Sequence, residues 1–225
     1  LIPNNPADRI IISKPEAFKG DYYLDSEVLR LFEIIKGHKI ELVILLTAFY
    51  GLRRSEVLGL KWDSVDFDAG TITVKHTVAK VTQIVEKDKT KNKTSRRTFP
   101  LTPDVREMLL DLKRQEDENR RLFCSQYTEN NYILKWDDGR PFAPDYVSHR
   151  FSRLLEIYEM PHIRFHELRH SCASFLLNTG FTLKDVQEWL GHSDIKMTAN
   201  IYGHLDVGRK MGMAEKITAT LSKLA

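Results

Sequence analysis

Residues 166–170 read HELRH, and the two ways of taking those five letters lead to different folds. Taken as HExxH, they set two imidazoles one helical turn apart on a zinc ion, with Glu167 as the general base of a peptidase. Taken as HxxR, they put His166 and Arg169 three positions apart on one helix face, a pair suited to an anionic phosphate. A zinc helix needs well-formed turns before its first histidine, and Pro161 lies five residues upstream. The extended metallopeptidase pattern also fails, because Ala173 and Leu176 stand where it requires Gly and His. Glu188 remains as a ligand for the zinc alternative. A third alternative is a histidine satisfied by hydrogen bonds near a helix start.

Around that stretch the apolar spacing is mainly helical. Val28, Leu29, Leu31, Phe32 and Ile35 recur at helical intervals after a capping Asp25 or Ser26, up to Gly37. IELVILLTAFY (40–50) is apolar on all sides and predicts a buried helix that Gly51 ends, with a short helix in SEVLGLKW after it. Between Gly70 and Leu101 the period shortens towards two. TITVKHTV and RRTFPL are expected as strands around a charged connection, in a small antiparallel sheet. Thr102-Pro103-Asp104 is a helix start, and that helix is expected to reach about Arg120. Residues 124–144 read as irregular. Helical stretches are expected at 145–160, 166–178, 183–190 and 195–204, divided by Pro161, Gly180 and Gly191. The expected fold is therefore α+β and mainly helical.

Composition narrows the class. The 225 residues carry 34 Lys+Arg against 31 Asp+Glu, a net charge of +3, which is too mild to establish a nucleic-acid partner without the distribution of charge. Cys124 and Cys172 match no metal spacing or secreted disulfide framework, and both read as small buried or half-buried side chains in a reducing compartment. No apolar run reaches membrane-spanning length and no signal-peptide pattern opens the chain, so a cytoplasmic protein is expected. Residues 1–20, rich in Pro and Asn, read as a linker; 21–205 form one domain. In the tail, 206–225, Val207, Met211, Ala214, Ile217, Leu221 and Leu224 make one apolar helical stripe.

Further residues suited to a phosphate recur along the chain: Arg53 in YGLRRSEVLGLKW, the basic run TKNKTSRRTFPL, His192 in WLGHSDI and Tyr202 in ANIYGHL. GLRRSE, HELRH, LGHSDI and a tyrosine ten positions beyond His192, in that order and at those intervals, resemble the catalytic domain of the tyrosine recombinases, the phage-integrase family. The resemblance runs from about Tyr23 to Leu205 and implies that family's catalytic-domain fold, α+β and mainly helical with a small three-stranded antiparallel sheet. NPADR near the start looks like the segment that joins this domain to the family's N-terminal DNA-binding domain.

The resemblance implies a site for cutting and rejoining DNA. A phosphodiester needs charge stabilised on its non-bridging oxygens, a nucleophile, and a proton for the leaving oxygen. Arg53 and Arg169 match the family's two arginines, whose planar forks suit phosphate oxygens. Glu56 is expected to hold Arg53 in place, or else to be a helix-surface acid. Tyr202 matches the nucleophile, His166 the general base and His192 a transition-state hydrogen-bond donor. Counting back from SRRTFPL puts the general acid for the 5′-oxygen at Lys91, with Lys89 and Lys93 in competition. Lys87, Lys89, Lys93, Arg96 and Arg97 are expected to contact the DNA backbone, or to line a solvated loop. His38, His76, His149, His162, His170 and His204 are expected to be structural or superficial. No metal or cofactor is called for. Double-stranded DNA, a homo-tetramer on DNA with the tail packed in cis or in trans, and an accessory directionality factor are the implied partners, in a bacterium or its phage. A type IB-like relaxing enzyme and a non-catalytic DNA-binding regulator remain as alternatives.

Overall fold

In the computed structural model, residues 22–80, 84–87 and 96–192 are described. The proposed linker at 1–20, the helix at 195–204 and the tail at 206–225 lie outside the described residues. Seven helices are seen among them: α1 (Asp25–Ile34), α2 (Glu41–Tyr50), α3 (Arg54–Leu58), α4 (Pro103–Phe123), α5 (Pro144–Ile157), α6 (Glu167–Asn178) and α7 (Leu183–Leu190). The strands are β1 (Val65–Asp66), β2 (Thr71–Thr73), β3 (Thr77–Lys80), β4 (Ile84–Lys87) and β5 (Thr98–Pro100). Mainly helical with a small three-stranded antiparallel sheet, the architecture agrees with the expectation from the sequence.

α2 is the spine. Its uniformly apolar sequence is matched by burial of Leu42, Val43, Ile44, Leu46, Thr47, Ala48 and Tyr50, and it packs against α6 and α3. Burying each large aliphatic side chain there contributes about 1.5–3 kcal/mol. Gly51 stops the helix at φ 66°, where a Cβ would also lie 2.2 Å from Leu190 Cδ2. The C-terminal ends of α2 and α7 are thereby brought together.

The sheet runs β1-β2-β5, antiparallel throughout, with Ile72 opposite both Val65 and Phe99. It starts before Gly70, which the period had suggested as its edge. The stretch TITVKHTV does not form one strand: it breaks at Lys75-His76, and β3 pairs with β4 in a separate two-stranded ribbon. A close approach accounts for the break. Gly59, after α3, lies so near His76 that a Cβ would be 2.5 Å from the His76 carbonyl oxygen. β4 occupies part of what the sequence suggested was a charged connection.

α4 begins at Pro103 as expected and runs on to Phe123, with Val105, Leu109 and Glu116 as its buried residues. Glu116 accepts from Trp62 Nε1 (2.6 Å), Lys135 Nζ (2.7 Å) and Arg120 (2.9 Å), which fastens the irregular 124–144 segment to the helix. α5 lays Val147, Phe151, Leu154 and Leu155 on the core. α6 and α7 share a smaller cluster of Cys172, Ala173, Leu177, Val186 and Leu190. Cys172 is buried, but Cys124, at a helix end with φ 46°, is exposed and so departs from the expectation for it. Among the described residues, no helix is long and apolar enough to cross a membrane.

Candidate active site

The HELRH ambiguity is resolved by what Glu167 touches. Its carboxylate accepts from the Arg164 backbone N–H and pairs with the Arg164 guanidinium (2.9 Å), and it is buried. So placed, Glu167 braces the start of α6 and is not free to act as a base. His166 is the residue just before the helix, and no group of three His, Cys, Asp or Glu side chains is arranged to hold a metal ion among the described residues. Glu188 pairs with Lys184 instead (3.1 Å).

Arg169 points inward from the first turn of α6 and is 2% exposed. One guanidinium nitrogen donates to the Gly51 carbonyl, the other to the Leu190 carbonyl (2.6 Å). These are the terminal carbonyls of α2 and α7, the electronegative ends of two helices. Arg53, at the N-cap of α3, donates to Glu56 Oε1 (2.7 Å) and weakly to the Gly191 carbonyl (3.4 Å). Its backbone N–H meets Glu56 Oε2 (2.9 Å), the carboxylate half of a capping box. The two arginines of the sequence motifs, 116 positions apart in the chain, thus meet at the end of α7, on the adjacent carbonyls of Leu190 and Gly191.

Glu56 is the hub. It is 2% exposed, so the surface-acid alternative falls, and its oxygens serve Arg53, Arg97 (2.8 Å) and, at 4.0 Å, Arg169. Burial alone would raise its pKa; Arg97, the Arg53 backbone N–H and the Arg53 charge outweigh it and hold the carboxyl below its ordinary value.

Arg97 corrects the sequence reading. Expected on a DNA-facing hairpin, it is 8% exposed, paired to Glu56 and donating to the Leu190 carbonyl. The buried acid and the last carbonyl of α7 supply the acceptors that offset the cost of burying the charge. Arg96, next to it, is exposed as expected. Lys87 ends β4. Lys89, Lys91, Lys93 and Tyr202 lie outside the described residues.

His192 follows the αL turn of Gly191 at the end of α7 and is 6% exposed. Its backbone is held at both ends by Gln187: N–H to O at 3.0 Å, and Nε2 to the His192 carbonyl at 3.1 Å. Burial, then the charges of Arg169 and Arg53, push its pKa down to about 3. For His166, burial, His170 and Arg169 push it down to about 4. Both imidazoles are neutral at physiological pH, and a neutral imidazole can accept a proton. His170, left by the sequence as structural, faces His166 edge-on at 5.4 Å.

Arg53 and His166 open onto a common cleft of about 560 Å³, lined also by Arg54, Ser148, Ser152 and Arg164. Three guanidiniums, a neutral imidazole and hydroxyls on one concave surface suit an anionic ester of phosphoric acid. The sequence did not disclose the anchors themselves, the carbonyls of Gly51 and Leu190. Their signal was the pair of helix-ending glycines, Gly51 and Gly191.

The phage integrase family model matches residues 23–209, and the chain belongs to that family. A tyrosine recombinase XerC-like protein of Caldanaerobacter subterraneus subsp. tengcongensis is 31% identical over 229 residues, covering 96% of this chain and 57% of that protein. The Tn1549 transposon integrase in complex with transposon right end DNA superposes with a TM-score of 0.75 at 22% identity, over 96% of this chain and 73% of that one. A lambda integrase tetramer bound to a Holliday junction gives a TM-score of 0.54 at 18% identity, over 83% of this chain and 49% of that one. The chain therefore spans little more than half the length of the XerC-like relative.

Proposed function

We propose that this chain is the catalytic part of a site-specific DNA recombinase of a mobile element, cutting and rejoining strands through a 3′-phosphotyrosine. The observation that carries the reading is the convergence of Arg53 and Arg169 on adjacent carbonyls at the end of α7, with His192 at the same helix end and His166 on the cleft that Arg53 lines. Arg53 and Arg169 neutralise the non-bridging oxygens. The Tyr202 hydroxyl attacks phosphorus, its proton passes to His166, and the bond from phosphorus to the 5′-oxygen breaks. Lys91 protonates that oxygen, and His192 donates to the transferring phosphoryl group. A phenol of pKa about 10 is a fair leaving group, so a 5′-hydroxyl from a second strand reverses the step. One phosphodiester is exchanged for another ester, so neither ATP nor a metal enters the balance.

Lys87, Lys89, Lys93 and Arg96 would grip the DNA backbone. Exchange between two duplexes needs four tyrosines, hence a homo-tetramer on DNA, in line with the tetramer of the lambda integrase relative. The tail at 206–225 would close that assembly in cis or in trans. An accessory directionality factor and a bacterial cytoplasmic setting complete the proposal.

A nicked suicide substrate tests it. Incubation is expected to trap a covalent protein–DNA adduct that is indifferent to a chelator and absent with Tyr202→Phe. Reversible binding without an adduct would leave a regulator. Exchange between two sites, against relaxation of a supercoiled circle, separates a recombinase from a type IB-like enzyme.

A further inference from the structure

We propose that Arg97 is a positioning residue for the phosphate clamp: held away from the substrate, it fixes the Glu56 carboxylate and the Leu190 carbonyl on which Arg53 and Arg169 are set. The inference rests on the proposed recombinase reading and adds a residue to it. Three observations carry it. First, Arg97 and Arg53 take opposite oxygens of one carboxylate, at 2.8 Å to Oε2 and 2.7 Å to Oε1, so the plane of Glu56 is set by both guanidiniums. Second, Arg97 and Arg169 both donate to the Leu190 carbonyl, so the last turn of α7 is held from two sides. Third, the backbone is shaped to admit Arg97. A Cβ on Gly191 would come within 2.0 Å of its guanidinium, and its other face lies 5.7 Å from the Phe99 ring centroid.

With its side chain 7% exposed, Arg97 acts through other groups. Without its charge Glu56 keeps one guanidinium partner at hydrogen-bond distance, Arg53, and can swing with it. The Leu190 carbonyl keeps Arg169 alone, so the end of α7, two residues before His192, loses a mooring. Each change displaces a group facing the phosphate. A displacement of about 1 Å at such a group costs on the order of 10²-fold in rate.

Arg97→Met keeps the aliphatic stem and removes the charge; Arg97→Lys keeps the charge and removes the fork. Both are compared with the wild-type chain for equilibrium DNA affinity and for single-turnover adduct formation on two nicked substrates. One is ordinary; the other carries sulfur at the 5′-bridging position, so its leaving group needs no protonation. Arg97→Met is expected to slow adduct formation by about 10²-fold on both substrates, with affinity changed less than about threefold. Arg97→Lys should recover roughly tenfold of that loss. If Arg97→Met does not fold, as melting will show, Arg97→Lys alone must show a rate loss at unchanged affinity. Wild-type rates in the variants overturn the inference. So does a parallel loss of affinity, which marks a general structural role, and so does full rescue by sulfur, which routes the effect through the general acid. No adduct from the wild-type chain overturns the functional reading itself, and this inference with it.

Discussion

Glu56 occupies an ordinary place in the sequence, three residues after an arginine, yet in the fold two guanidiniums hydrogen-bond to it and a third stands at 4.0 Å. Removing one member of a buried ion cluster costs about 3–5 kcal/mol, since the remaining charges lose their counterpart. Glu56→Ala is therefore expected to lower stability by about that amount in urea unfolding. The pH dependence follows from a depressed carboxyl: its contribution is fully present above the ordinary value of 4.5 and fades as pH falls through the lower folded value. Glu56→Gln should flatten that acid limb. The histidines behave differently. His166 and His192 have pKa values pushed down to about 4 and about 3, so the unfolded chain takes up their protons first, and stability declines as pH falls from 6.5 towards those values. Histidine-selective NMR of the free protein, assigned with His166→Gln and His192→Gln, should show neither ring titrating between pH 8 and 5.5. A midpoint near 6.5 for either would contradict the burial described.

At the scale of elements, helix ends matter more than helix interiors. Gly51 adopts a left-handed conformation that costs an alanine about 1–2 kcal/mol, and the added methyl meets Leu190 as well. Gly51→Ala should lower the melting temperature by roughly 5 °C, read by circular dichroism. The bounds of α7 were readable in the sequence from Gly180 and Gly191; in the fold Thr182 caps one end and Gly191 the other. α2 was readable for its apolar run and its glycine. The division of TITVKHTV between the three-stranded sheet and the β3-β4 ribbon was not, because it goes with the close approach of Gly59, which no local period records. Arg97 was misjudged for the same reason: its partners Glu56 and Leu190 lie 41 and 93 positions away. Residue types at motif spacing disclosed Arg53, Glu56, His166, Arg169 and His192; which faced outward and which inward depended on contacts no local period records.

Over the whole molecule, a net charge of +3 conceals an uneven layout, since the densest basic run spans Lys87 to Arg97. If that run grips DNA as proposed, affinity should fall steeply with salt, each phosphate contact adding about 0.9 to the slope of log affinity against log salt. Replacing Lys87, Lys89 or Arg96 singly by Ala should reduce the slope by about 1, whatever the DNA sequence, in anisotropy titrations over a salt series. Arg97→Ala should leave it unchanged, because that guanidinium is turned inward.

The mooring of Arg169 to the last carbonyls of both α2 and α7 ties chemical competence to completed folding. On the proposed reading, a nascent or partly melted chain, in which α7 has yet to dock, has no assembled grip on phosphorus and so would not nick a chromosome by accident. A strand-breaking agent made this way would be disarmed until its architecture is finished.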